Sequence, residues 1–475
     1  MTTRTTLCAL ALLLTPALLP AQCPDGSPPP CGRLAPRGGA GPPAMSVAVL
    51  YFDTHDTADA YLADGLTEEI ATSLGRVARL QIKSPSAVRR AQRQAVGDLR
   101  AIGRALNVFW VVEGSVRRGE GQLRVSVRLV NAANETATWS DAFSRPASGL
   151  LGIQEDIARQ VASNVAGVLA PSERSRLARR PTQSAEAYDH YIRGNFFFGR
   201  RTEAALTRAA QEYQAALRLD PSFSAARARV AMCLGQQVDY GWVAPADEAA
   251  LIERGLALAD SVIARDPAVA QAWIARGYML MFKNPRTFQG SRAALERAAV
   301  LDSRDPEAWM RLGTMHLILE EDSASVAAIR RVIALDPDRP APWQILGILA
   351  YMGRRNAEAL ALFDTSLAVE PSYGRAWFWR ARVRLALGDT AGARADAQAA
   401  QGRTSPSGRT LGIDAGILPL GLSNDREPFL ARLEQTPLDL LSCMRLRRSP
   451  EFDPVRADPR FARALAECAR LRESP

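Results

Sequence analysis

A chain of 475 residues, 47% hydrophobic and 23% charged, exceeds what one core supports, and it is neither disordered nor fibrous in composition. The formal charge of +9 is not clustered, because arginines run through almost every segment, so it marks no single nucleic-acid face. Lysine occurs only at Lys83 and Lys283, which removes most candidates for a phosphate-binding or Schiff-base lysine.

The opening stretch MTTRTTLCALALLLTPALLPAQC combines one arginine, an apolar run from Leu7 to Leu19 and a small residue at Ala21. This is the pattern of a secretory signal peptide over residues 1–21, and its run falls short of the roughly 20 residues that span a bilayer. A lipoprotein signal acylated at Cys23 is the alternative, but Pro20 and Gln22 depart from the leucine and two small residues such a signal places before its cysteine. The mature chain is therefore expected to be exported, periplasmic or in the cell envelope, with no transmembrane span. Residues 22–44 read as a Gly/Pro-rich linker. Cys23 and Cys31 flank the turn-prone PDGSPPP and form the first candidate disulfide; Cys443 and Cys468 form a second pair. Cys233 sits in an apolar helical pattern and reads as a small core residue. No Cys/His spacing suggests a metal, so no metal site is expected.

From Met45 the pattern changes. MSVAVLYF is a strand-like run, ADGLTEEIATSLGRV an amphipathic helix with Asp64 placed to cap it, LQIKS a short strand and DLRAIGRAL a helix. VFWVVEGSVRR and QLRVSVRLVNA are strands joined through Gly119-Glu120-Gly121, TATWSDAFS is one more, and GIQEDIARQVASNVAGVLA is a closing helix. The order β-α-β-α-β-β-β-α predicts a mixed sheet with flanking helices that ends in an antiparallel meander. The blocks SVAVLYF, YLADGLTEEI, IGRALNVFWVVEGSVRR, LRVSVRLVNA and GIQEDIARQVA resemble, over residues 45–170, the TolB amino-terminal-like domain of bacterial envelope and signalling proteins. The resemblance implies a non-catalytic α/β domain. Residues 171–184 follow as a linker.

Tryptophans at 273, 309, 343 and 377 are spaced 36, 34 and 34 residues apart, with glycine four positions after the first three and Ala381 after the last. Ahead of them stand acidic residues at 220, 266, 302, 336 and 370, most followed by proline, which stops a helix. A fixed period of this length predicts stacked αα-hairpins. On these residues the region 185–403 resembles the tetratricopeptide repeat, with about six units. In the unit from Pro306 the family positions fall on Trp309, Leu312, Gly313, His316, Ser325, Ile329, Val332 and Pro337. The next unit carries Trp343, Leu346, Gly347, Ala350, Ala359, Phe363, Ser366 and Pro371, and the last lacks the closing proline. The tryptophans are expected in the core, filling space left by the glycines. The 46-residue gap between Asp220 and Asp266 is expected to hold a loop at GQQVDYGWVAPAD. Residues 404–475 lose the period and are expected to cap the end of the solenoid.

No nucleophile, acid/base pair, phosphate loop or cofactor motif is found, so no catalytic residue and no cofactor are assigned. GNFFFGRR could stack on single-stranded nucleic acid, yet reads first as a repeat packed on the α/β domain; no specific nucleic acid is expected. The repeat resemblance implies a concave groove lined by the first helix of each hairpin. That face carries Ile274, Tyr278 and Met281, then Met310 and Thr314, then Gln344, Ile348 and Tyr351, then Phe378 and Arg382. The predicted fold is thus an α/β domain followed by an all-α repeat solenoid, and the predicted role is a scaffold for a protein or peptide partner. The alternative is a cytoplasmic transcriptional or signalling regulator, with the Arg-flanked hairpin as a wing and the repeats as a sensor.

Overall fold

The structure, a computed structural model, describes residues 41–119, 121–146, 149–200, 202–401 and 426–473. The signal sequence and the Cys23–Cys31 pair lie outside the described residues.

Strand β1 (Ser46–Val49) is buried at all four positions, as a strand covered on both faces must be. It pairs in parallel with β3 (Gln81–Ile82) and with β4 (Trp110–Gly119). The short β2 (Asp53–Thr54) also pairs with β4, and β5 (Gln122–Asn131) and β6 (Ala137–Pro146) continue as an antiparallel meander. Along β5, Leu123, Val125, Val127 and Leu129 are buried while Arg124 and Arg128 are exposed, so this end of the sheet is covered on one face only. Helices α1 (Ala60–Gly75) and α4 (Leu150–Ala166) cover that face. On the other face α2 (Pro85–Gln94) and α3 (Leu99–Leu106) pack against Ala48, Leu50 and Val111. The expected strand and helix order holds, with the two-residue β2 and the helix α2 added. Its start is marked in the chain by Ser84, whose hydroxyl accepts from the Ala87 N–H, and by Pro85 in the first turn.

The predicted linker 171–184 contains a helix, α5 (Pro171–Leu177), held by Glu173 to Arg79 at 2.9 Å. Six hairpins follow: α6 (Ala185–Phe198) with α7 (Glu203–Leu219), α8 (Ser224–Tyr240) with α9 (Pro245–Arg265), and α10 (Ala270–Lys283) with α11 (Ser291–Leu301). Then come α12 (Pro306–Ile318) with α13 (Asp322–Leu335), α14 (Pro340–Met352) with α15 (Asn356–Val369), and α16 (Gly374–Ala386) with α17 (Thr390–Ala400). The extra residues of the second unit lengthen helices rather than forming a loop: α8 has 17 residues, α9 has 21, and Gly241 in the left-handed region turns between them.

Four of the five turns between units are built by their acidic residue. Asp220, Asp266, Asp302 and Glu370 end their helices in extended conformation, and each carboxylate accepts the N–H two residues on. The tryptophans are not the core residues expected. Trp273, Trp309, Trp343 and Trp377 lie half-buried, each donating its indole N–H to the carbonyl six residues back, at Pro267, Ser303, Pro337 and Pro371. The glycines instead make room for the second helix of their own hairpin. A Cβ on Gly347 would stand 2.8 Å from the Phe363 ring, and one on Gly313 2.5 Å from Ile329.

The first hairpin shares one core with the sheet: Leu66, Ile70, Val112 and Ile157 cluster with Tyr188, Ile192, Tyr213 and Phe223. Gly65 lets α1 lie directly on Ile192 of α6. At the other end, α18 (Glu427–Gln435), α19 (Leu440–Arg448), a 3-10 turn (Pro450–Val455) and α20 (Pro459–Glu473) form a small bundle around Phe429, Phe452 and Phe461. The Cys443–Cys468 disulfide lies inside it. This bundle is not a simple end cap, because it reaches back along the array to Pro285, whose carbonyl accepts the Leu440 N–H.

Candidate functional site: an enclosed concave face

The strip expected to be an open groove is largely covered. Ile274, Tyr278, Gln344, Ile348, Tyr351 and Arg382 are buried, and Met310 and Phe378 are half-buried. Two causes combine. The array is wound tightly enough for α8 to meet α16: Asp239 accepts from the Tyr278 hydroxyl at 2.7 Å and lies 3.7 Å from Arg311 and 3.6 Å from Arg375. The Arg311 guanidinium sits 3.6 Å above the Tyr278 ring. Farther along, the C-terminal bundle fills the groove. Glu451 accepts from the Tyr351 hydroxyl at 2.7 Å and pairs with Arg382, which is fully buried and stacked 3.7 Å from the Trp379 ring. Asp453 takes both arms of Arg354, while Arg447 and Arg448 pair with Glu320 and Asp322. Gln344 is spent on the Tyr373 hydroxyl at 2.8 Å.

The α/β domain closes the opposite edge, where the turns between repeats lie. Arg304 donates to the carbonyls of Gly75, Ala78 and Leu80 at 3.0 to 3.1 Å. From α2, Ser84 and Ser86 donate to Asp336, and Arg90 pairs with Asp338 at 2.5 Å. Between these docked parts a chamber of about 1090 Å³ remains, walled by α1 and α2 on one side and by first helices of the repeats on the other. Of the strip residues only Ile274 lines it.

The chamber is polar and aromatic. Asp64, expected to cap the helix, lies inside α1 instead, with Asp59 preceding it; Asp64 and Glu68 both face the chamber. Arg89 pairs with Asp64 at 3.0 Å and lies 3.6 Å above the Tyr51 ring, whose hydroxyl donates to Glu68 at 2.9 Å. Burial, with the Glu68 charge added, raises the Tyr51 hydroxyl pKa. Burial likewise raises Glu68, pushes neighbouring Glu69 up to about 7 and Asp305 up to about 6. Arg229 lies 5.0 Å from the Phe198 ring, Arg200 4.2 Å from Phe196 and Arg375 4.9 Å from Tyr240, which stacks on Trp242 at 4.7 Å. His190 and His316 are engaged elsewhere, by Glu212 and Glu321. Most chamber residues escaped a repeat-based reading because they come from α2, from helix ends and from the lengthened second unit. The Ser84-Pro85 helix start was the one signal that could have brought Arg89 forward.

The tetratricopeptide repeat family model matches residues 286–340 and 346–408. A putative adenylate cyclase 3 of Rhizobium meliloti (strain 1021) is 28% identical over 193 residues, 40% of this chain and 33% of that protein. The chain thus spans about a third of the length of the curated relative it matches. Among solved structures, a thermophilic tetratricopeptide repeat protein of Thermus thermophilus is 18% identical with a TM-score of 0.34, covering 42% of this chain and 98% of that one. A tetratricopeptide repeat protein of Parabacteroides merdae is 11% identical with a TM-score of 0.35, covering 60% and 99%. The fold is thus a mixed-sheet region followed by helical hairpins stacked in the manner of tetratricopeptide repeats, and the family match places such repeats at residues 286–340 and 346–408.

Proposed function

We propose that this protein is a non-catalytic scaffold, exported to the cell envelope, that holds a protein or peptide partner in the chamber between its α/β domain and its repeats. The observation that carries this reading is the chamber itself, to which both modules contribute side chains. Its volume and mixed aromatic and charged lining suit an extended segment better than a compact small molecule. The α/β domain carries the sequence blocks that resemble the TolB amino-terminal-like domain, which accords with a role in the envelope. The buried Cys443–Cys468 disulfide supports an oxidising compartment.

A photo-crosslinking residue at Trp242, inside the chamber, should trap a partner in envelope fractions, whereas the same residue at exposed Leu387 should not. Equal capture from both positions would remove the chamber from the reading. The likeness to a putative adenylate cyclase favours a second reading, a signalling regulator whose repeats sense a ligand in the cytoplasm. Export of a reporter fused after residue 44, and its loss on deleting residues 1–21, separates the two.

A further inference from the structure

The C-terminal bundle meets the concave groove through one short stretch, Arg447 to Asp453, whose sequence is RRSPEFD. Its two ends carry opposite charge. Arg447 donates to Glu320 at 2.8 Å, and Arg448 donates through two nitrogens to Asp322 at 2.6 and 2.7 Å. Beyond Pro450 the direction reverses. Glu451 accepts from the Tyr351 hydroxyl at 2.7 Å and from Arg382, and Asp453 takes both arms of Arg354 at 2.6 and 2.9 Å. Between the two halves the Ser449 hydroxyl accepts from Arg382 at 3.3 Å. The groove is thus acidic at the turn from α12 to α13 and basic after α14 and on α16, and the stretch matches it in that order.

An end cap needs only a polar outer face. Charges paired in opposite senses at successive repeats do more, because they fix the identity and register of what lies in the groove. The attachment is also separable. Leu440 and Met444 of α19 are buried beside Tyr351 and Trp379, whereas Phe452, between the two acids, turns away into the bundle's own core with Phe429 and Phe461. The Cys443–Cys468 bond closes that core, so the bundle can leave the groove as a folded unit.

We infer that Arg447–Asp453 occupies the groove in cis as the stand-in for a partner peptide. The bundle keeps the groove shut until a segment of the same charge order, a basic pair followed by two alternating acids, displaces it. Charge complementarity selects this occupant, since a purely acidic or purely basic segment would set like charges against one end of the groove. A tethered segment competes at an effective concentration on the order of mM, so an outside peptide meets a closed groove in the parent chain. This surface is separate from the chamber, and neither reading depends on the other.

The test measures binding of a synthetic peptide of residues 439–455, carrying Cys443→Ser, to the full chain. Glu451→Lys with Asp453→Lys in the chain should free the groove. Hydrogen exchange should then rise in α14 and α16 while the sheet stays protected, and the peptide should bind at least about tenfold more tightly than to the parent. The same peptide with Glu451→Lys and Asp453→Lys should not bind. Since a double charge reversal can disturb folding, Arg354→Asp is a second way to open the groove, and adding Asp453→Arg to that chain should shut it again. Equal peptide binding by the parent and the freed chains, or none by either, would overturn the inference. Binding that ignores the charge reversal in the peptide would overturn it as well, because charge order would then not select the occupant. Unchanged exchange in α14 and α16 would show that these pairs do not hold the bundle, with the same consequence.

Discussion

Gly347 follows Trp343 by four residues, and its tolerance in mid-helix is explained by Phe363, not by the indole. An alanine there would gain about 1 kcal/mol of helix propensity. It would also put a methyl 2.8 Å from a fully buried ring, which would have to shift, and overpacking of this kind costs about 1–3 kcal/mol. Gly347→Ala should therefore destabilise the array in urea melts; a stabilised variant would show that Phe363 can move. Glu69 supplies a pH-dependent counterpart. Its folded pKa of about 7 lies above the ordinary carboxylate value, because burial outweighs the pull of Arg76 and Arg229. The folded state thus binds the proton more tightly, so this stability is present below the unfolded pKa and is lost as pH rises toward 7. Glu69→Gln keeps a group that can accept the Asn195 amide N–H, and should raise stability at pH 8 by about 1–3 kcal/mol with no gain at pH 4. Denaturant titrations at the two pH values would check this, and an equal effect at both would mean Glu69 does not titrate as argued.

The C-terminal bundle shows how helices that lack the repeat period still acquire a place. Its helices are short, and α19 carries Arg445, Arg447 and Arg448 toward its end, so little core would form without a further constraint. The Cys443–Cys468 bond closes a separation of 25 residues, and a loop of that size is stabilised by about 3 kcal/mol. Reduction, or Cys468→Ser, should loosen residues 427–473 and with them the Glu451 and Asp453 contacts in the groove. Hydrogen exchange should then rise in α19 and around Tyr351 and Arg382 while the sheet core stays protected. Unchanged protection at Tyr351 after reduction would mean that the segment from Ser449 to Asp453 holds the groove without the bundle.

Across the molecule, the two modules are joined by unlike interfaces. The first hairpin is fused to the sheet through a continuous apolar core, whereas the contacts to the later repeats are Arg304 on three carbonyls and α2 on Asp336 and Asp338. A few hydrogen bonds and a single ion pair contribute less than a continuous apolar core, so the far edge of the chamber should be the weaker one. Arg304→Ala with Arg90→Ala should raise hydrogen exchange in α2 and around residues 75–80 without altering α1 or α6. If α1 and α6 exchange faster as well, the two interfaces open together and the polar edge is not separable.

The architecture was legible because it rests on local rules. Proline after an acidic residue stops a helix wherever it occurs, a small residue recurring every 34 positions marks a helix crossing, and alternation such as Leu123, Val125, Val127 and Leu129 assigns a strand face. The site was not legible, because burial of a groove depends on what lies across it. Nothing near Arg382 in the chain announces Glu451, and nothing near Arg90 announces Asp338; both pairings join segments far apart in sequence. Even the tryptophans, periodic as they are, stay half-buried at the edge of the core and bonded to the preceding turn, a preference that spacing does not reveal. Periodicity reports which face a residue shares with its neighbours along one helix, and only the closed superhelix and its two docked flanks decide whether that face meets solvent, a partner or the chain itself.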